Sequence, residues 1–199
     1  MLSFRSLLGL LFLFALVGFT SWFALKSSEP IRSKLPKDAI LPVSQVSHGQ
    51  WVQMTPQGAL QYVVKIDQGV EYNNQHMDFE SGFLTAYQDP GTPPWKAFGA
   101  KGSYNRPLQI LDLKQQVTLD RAGFGSTPPL VFATTALSIN LKTHQVQTTA
   151  HVLLTEPGSL NQTQAIGMQA NLKTHTVHLD HQVRSTYDPL VLSDIKSAS

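Results

Sequence analysis

At 199 residues the chain has room for one domain and an appendage, and a formal charge of +2 gives no electrostatic footprint for nucleic acid. Charged residues make up 14% and aromatics 9%, low for a soluble enzyme. With no cysteine, disulfides, thiolate nucleophiles and cysteine–metal sites are all excluded, so packing alone must hold the domain together.

The first element is an uncharged run from Ser6 to Leu25. At ~1.5 Å per residue it spans ~30 Å, the hydrocarbon thickness of a bilayer. Trp22 and Phe23 stand at its far end, where interfacial aromatics belong. A cleavable signal peptide is the competing reading, but its apolar region is ~7–15 residues and ends in small residues. The run therefore reads as an uncleaved single-pass anchor. Arg5 lies on one side of it, and Lys26, Arg32, Lys34 and Lys37 on the other. That count favours the reverse topology, yet long C-terminal domains translocate largely regardless of charge, so the tail is placed in the cytoplasm and the bulk outside. Leu11, Ala15, Gly18 and Trp22 share one helical face, where small residues let another helix approach.

The chain thus divides into a tail and transmembrane helix over 1–25, a linker over 26–49, a β domain over 50–189 and a C-terminal tail over 190–199. The linker carries Pro30, Pro36 and Pro42 and no periodicity. After the turn signal Thr55-Pro56-Gln57-Gly58, the residues Leu60, Tyr62, Val64 and Ile66 alternate with Gln61, Val63 and Lys65. Further strands are expected at Gly69–Tyr72, Met77–Phe79 and Phe83–Tyr87, before a breaker from Asp89 to Pro94. Trp95–Ser103, Gln109–Leu113 and Gln116–Leu119 follow, and then a loop from Ala122 to Pro129.

Two near-copies complete the pattern. Asn140-Leu141-Lys142-Thr143-His144 recurs as Asn171-Leu172-Lys173-Thr174-His175, and each runs on to a valine, Val152 or Val183. Counterparts of that valine stand at Val117 and, more degenerately, at Phe83, which gives four units. Each unit reads as two short strands around a polar turn. The fold class is therefore all-β: repeated antiparallel hairpins in a sandwich, barrel or roll.

Few residues invite chemistry. His175, His178 and His181 would line one helical face, but on a strand His178 points away and the other two stand ~20 Å apart. Neither a Gly-x-Ser-x-Gly elbow nor a Walker-type loop is present. Asn161-Gln162-Thr163 has the form of a glycosylation sequon. No catalytic residue, metal ligand or cofactor is assigned. The positive signal is the alternation itself: Val177, Leu179, His181, Val183, Ser185 and Tyr187 fall on one face. That lining is a filled core or an interior wide enough for an alkyl chain.

Several stretches, in order and spacing, resemble the LptC family, the single-pass inner-membrane component of bacterial lipopolysaccharide export. They are Thr55 to Tyr62 (TPQGALQY), Gly69-Val70-Glu71-Tyr72, Pro94-Trp95, Ser138-Ile139-Asn140-Leu141 and Val183-Arg184-Ser185-Thr186-Tyr187. The hairpin before Phe83 looks about two residues short, and the loop at Glu156-Pro157-Gly158 carries an extra residue. The resemblance implies a twisted, open-ended β-jellyroll outside the inner membrane that passes lipopolysaccharide along an apolar groove. It also implies three sets of partners: the LptF and LptG permease, its LptB ATPase and the periplasmic LptA. By position it carries Phe79, Val177 and Tyr187 over as lipid contacts, and the alternation adds Val183. A membrane-anchored β scaffold that assembles envelope proteins without carrying lipid is the alternative. The last strand, ending before Asp188-Pro189, is a candidate free edge, with Gln182 and Arg184 as its docking backbone. The strand near Leu60 is the fallback edge.

Overall fold

The computed structural model describes residues 19–22, 39–88 and 90–187. Ser6, Gly18, Leu25, most of the expected linker, Asp188, Pro189 and the tail 190–199 lie outside them. Among the described residues no helix is long and apolar enough to cross a membrane. Contacts divide the chain between Ala39 and Ile40, and the unit that begins at Ile40 carries the β domain.

Nine strands make up this unit: β1 (Pro42–Met54), β2 (Leu60–Tyr72), β3 (His76–Ala86), β4 (Trp95–Asn105), β5 (Ile110–Arg121), β6 (Leu130–Asn140), β7 (Gln145–Thr155), β8 (Gln162–Asn171) and β9 (Thr176–Thr186). They pair antiparallel in chain order, so the sheet is an open, all-β meander of hairpins with β1 and β9 at its edges. The strands are longer than the alternation suggests. Residues 42–49, read as linker, belong to β1, which is mostly exposed and polar and is held by backbone pairing to β2. Gly69–Tyr72 continues β2; Met77–Phe79 and Phe83–Tyr87 fall in or abut β3; Gln109–Leu113 and Gln116–Leu119 merge into β5.

What looked like strand ends are bulges. Positive φ occurs at His48, Ser81, Gln115, Gln116, Gly167 and Gln182. Register shifts fall at matching places between β4 and β5, β5 and β6, β6 and β7, β7 and β8, and β8 and β9. A bulge adds a residue to one strand, bends it and increases its twist. Aligned across neighbouring strands, bulges crease the whole sheet. The buried positions change parity at the crease: Met77 and Phe79 give way to Leu84 and Ala86, and Phe132 to Leu137 and Ile139.

The crease explains where the core lies. An apolar face of one sheet needs a cover, and among the described residues no helix supplies one. The sheet covers itself. Phe132, Ile139, Val146, Val152 and Met168 are each at most 1% exposed and join one cluster with Tyr62, Leu84, Leu113 and Leu172. One contact marks the closure directly: the Arg121 guanidinium, at the end of β5, donates from Nη1 to His175 Nδ1 at 3.0 Å, in the turn between β8 and β9.

The repeated pentapeptide is a turn device. Asn140 Oδ1 accepts from the backbone N–H groups of Lys142 and Thr143, each at 3.0 Å. Asn171 Oδ1 does the same for Lys173 and Thr174, at 2.9 and 3.1 Å. The leucine after each asparagine is buried, and each histidine takes the left-handed conformation, with φ of 59° and 56°. Gln75 and Gln109 occupy the same conformation in the two earlier turns, so left-handed residues recur at spacings of 34, 35 and 31. The turns are stitched together: Arg106 N donates to Gln75 O, Leu141 N to Gln109 O and Leu172 N to His144 O. Four units are therefore present. Phe83 is not the counterpart of Val117, however. In the first unit the bulge at Ser81 lies one residue nearer its turn, which moves the inward position to Gly82 and turns Phe83 out to stack on Phe98 at 4.7 Å.

Candidate functional site

The inner face has two ends, and they differ. At the C-terminal edge, Val177 pairs with Ala170 and Leu179 with Met168, so both side chains share the core face. Across the bulge, Gln182 and Val183 stand opposite the buried Ala165, and Ser185 pairs with Thr163. Among the described residues no strand pairs with β9 on its far side, and this continuation of the core is exposed: Val177 is 41% exposed, Val183 50% and Tyr187 66%. His181 departs from the expected face. It pairs with Ile166, and both are exposed, because the bulge resets the alternation.

Phe79 lies elsewhere, in β3 at the other end of the strand order. It is 5% exposed and rests on glycines. A Cβ on Gly82 would collide with its ring, and one on Gly102 would stand 2.6 Å from its Cζ. These glycines leave room for the ring over β3 and β4. Phe79 also borders a cavity of about 350 Å³ whose apolar wall includes Trp51, Tyr62, Val64 and Met77, with Tyr104 and Arg106 beside them. Burial, and then a hydrogen bond with Tyr104, pushes the Tyr62 hydroxyl far above its ordinary pKa, so it stays a neutral donor. Arg106 at the mouth is paired with Glu71 at 3.1 Å. The structure thus groups Val177, Val183 and Tyr187 on one strip and keeps Phe79 apart. Trp51 and Tyr104 escaped the sequence reading; the one available signal was a lone tryptophan in an otherwise polar stretch.

Of the docking residues, Gln182 and Arg184 are on the edge strand β9, and Arg184 pairs with Gln164. Leu60 is not on an edge. It opens β2, which lies between β1 and β3, so the N-terminal free edge is β1. Among the described residues no group of His, Asp and Glu is arranged to hold a metal ion.

The architecture is an open, self-covering β roll with an exposed apolar strip along β9. Residues 10–188 match the family model described as lipopolysaccharide-assembly, LptC-related, and the chain belongs to that family. It is a protein of lipopolysaccharide transport. Among solved structures it is similar to LptH of Pseudomonas aeruginosa, described as the LptA homologous periplasmic component of the conserved lipopolysaccharide transport device. That likeness has a TM-score of 0.47 at 8% identity, over 71% of this chain and 96% of the other. No curated protein matches.

Proposed function

We propose that the protein is a single-pass inner-membrane component that accepts lipopolysaccharide from the LptF and LptG permease, driven by the LptB ATPase, and passes it to periplasmic LptA. The uncharged run from Ser6 to Leu25 supports the anchor. The observation that carries the transfer step is the exposed inner-face strip of β9, apolar side chains continuous with the core on a strand with one free edge. Moving an acyl chain through water costs about 0.8 kcal/mol per CH₂, roughly 10 kcal/mol for a long chain. A strip that keeps the chain covered lowers that barrier while the sugars stay hydrated. The same edge offers unpaired backbone groups for strand addition by the partner.

One observation favours the second reading, a scaffold that carries no lipid: core side chains in the middle of the roll are fully buried, with Ile139 and Met168 at 0% exposure. The test is photo-crosslinking in cells from Val183 and Tyr187, with the buried Val152 as control. Crosslinks to lipopolysaccharide from the first two and not from Val152 are expected. Their absence from all three, in a stably expressed protein, leaves the scaffold.

A further inference from the structure

Three buried side-chain nitrogens lack a hydrogen-bond partner among the described residues: Gln88 Nε2, Trp95 Nε1 and Arg121 Nε. They are not scattered. Trp95 opens β4 and pairs with Arg121, which closes β5. On its other side Trp95 pairs with Ala86, two residues before Gln88. All three orphans therefore stand on adjoining strand ends at one end of the roll. Trp95 is 3% exposed and Arg121 8%. The guanidinium lies 5.0 Å from the centroid of the Trp95 ring and donates to His175 Nδ1, and no carboxylate of the described residues is within ion-pair distance of it. An imidazole that accepts from arginine is neutral and cannot balance its charge.

Burying a cation without a counter-charge is costly, and leaving its own Nε and two further donors unpaired adds to that cost. Every orphan is a donor, so the complement is a group that only accepts and carries negative charge. A phosphoryl group fits: it offers several oxygens, and a guanidinium matches it as a fork. The surroundings indicate what carries it. Trp95 packs against Phe132 on the core face, 6.3 Å between ring centroids, so an anion here sits beside apolar surface. Lys96 pairs with Asp120 one residue along from Trp95 and Arg121, so both lie on the opposite face of β4 and β5 and neither meets the guanidinium.

We infer that Gln88, Trp95, Arg121 and His175 form a phosphoryl-binding subsite for the headgroup of the transported lipid. The inference rests on the lipid-transfer reading. It is tested with the full chain in detergent, measuring binding of lipopolysaccharide and of the same lipid with its lipid A phosphates removed. The wild type should favour the phosphorylated form by about tenfold or more, the scale of one charge-assisted bond. Arg121→Met should bind both forms as the wild type binds the dephosphorylated one, and Trp95→Phe should lose part of the preference. Equal binding of both forms by the wild type overturns the subsite and leaves lipid transfer standing, whereas binding of neither form sinks both. Unchanged preference in Trp95→Phe also overturns the subsite, and this variant decides the matter if Arg121→Met fails to fold. If inorganic phosphate stabilises the chain as much as the phosphorylated lipid does, the site takes free phosphate and the inference falls.

Discussion

His144 shows how one side chain serves the turn at a cost. It sits in the left-handed region, which asparagine and glycine tolerate better, and burial, with Lys173 nearby, lowers its pKa below the ordinary 6.5. Above pH 6.5 neither the folded nor the unfolded chain protonates it, and stability is full. As pH falls through 6.5 the unfolded state takes up a proton that the folded state resists, so stability drops until pH passes below the folded pKa. His144→Asn should therefore flatten the melting temperature between pH 7 and pH 5 without lowering it at pH 8; a profile as steep as that of the wild type would count against this account. The turn asparagines are simpler. Asn140→Ala and Asn171→Ala each remove an acceptor for two backbone donors and should cost about 1 kcal/mol apiece. The two turns are joined by the bond from Leu172 N to His144 O, so urea melts of the double variant should depart from the sum.

At the scale of one element, β9 is an edge whose backbone is not uniform. Gln182 has φ of 50°, which proline cannot adopt, so Gln182→Pro should disrupt the strand itself and says nothing about docking. Gln182→Gly relieves the same strain and should leave stability unchanged or raised. Beyond the bulge, successive residues of an edge strand direct their N–H groups alternately toward the neighbour and toward solvent. Of Arg184→Pro and Ser185→Pro, one therefore removes a bond to β8 and the other only an outward donor. The second should fold by circular dichroism and fail to pull down the periplasmic partner, while alanine at the same position binds normally. If both proline variants fold and bind, β9 is not the docking edge and β1 becomes the candidate.

For the whole molecule the decisive contrast is between a packed middle and an open margin. Val152 is 1% exposed and Val183 50%, although the repeat makes them counterparts. Val152→Arg buries an unpaired charge and should cost several kcal/mol, enough to lose the folded protein. Val183→Arg leaves its charge in water, so the domain should fold and be expressed while lipid transfer is lost. A folded Val183→Arg protein that transfers lipid normally would mean that the exposed strip is not the lipid path. The crease adds a second test. A Cβ at Gly102 would stand 2.5 Å from the Asp112 carbonyl and 2.6 Å from Phe79 Cζ, so Gly102→Ala should cost about 1–3 kcal/mol in a chemical melt.

Period-two alternation, turn residues and an internal repeat are local signals, and they were enough to determine an all-β chain of hairpins, four units and the polar turn at each asparagine. They hold because a strand shows its two faces in every second residue and because Asn140 and Asn171 cap the backbone two and three residues ahead. Three things were decided only by tertiary structure. The bulges at Ser81 and Gln115-Gln116 look like strand ends in sequence, since an added residue breaks the alternation whether or not the strand continues, and the one at Gln182 falls inside a strand whose alternation reads as unbroken. β1 is held by backbone pairing and by Val46 and Trp51 against the core, too few contacts to leave a period-two pattern. The separation of Phe79 from Val177, Val183 and Tyr187 depends on which strands end up at the edge of the sheet, and so does the meeting of Arg121 with His175 across the closed roll. Burial at those positions is set by strands many residues away, and the residues themselves carry no mark of it.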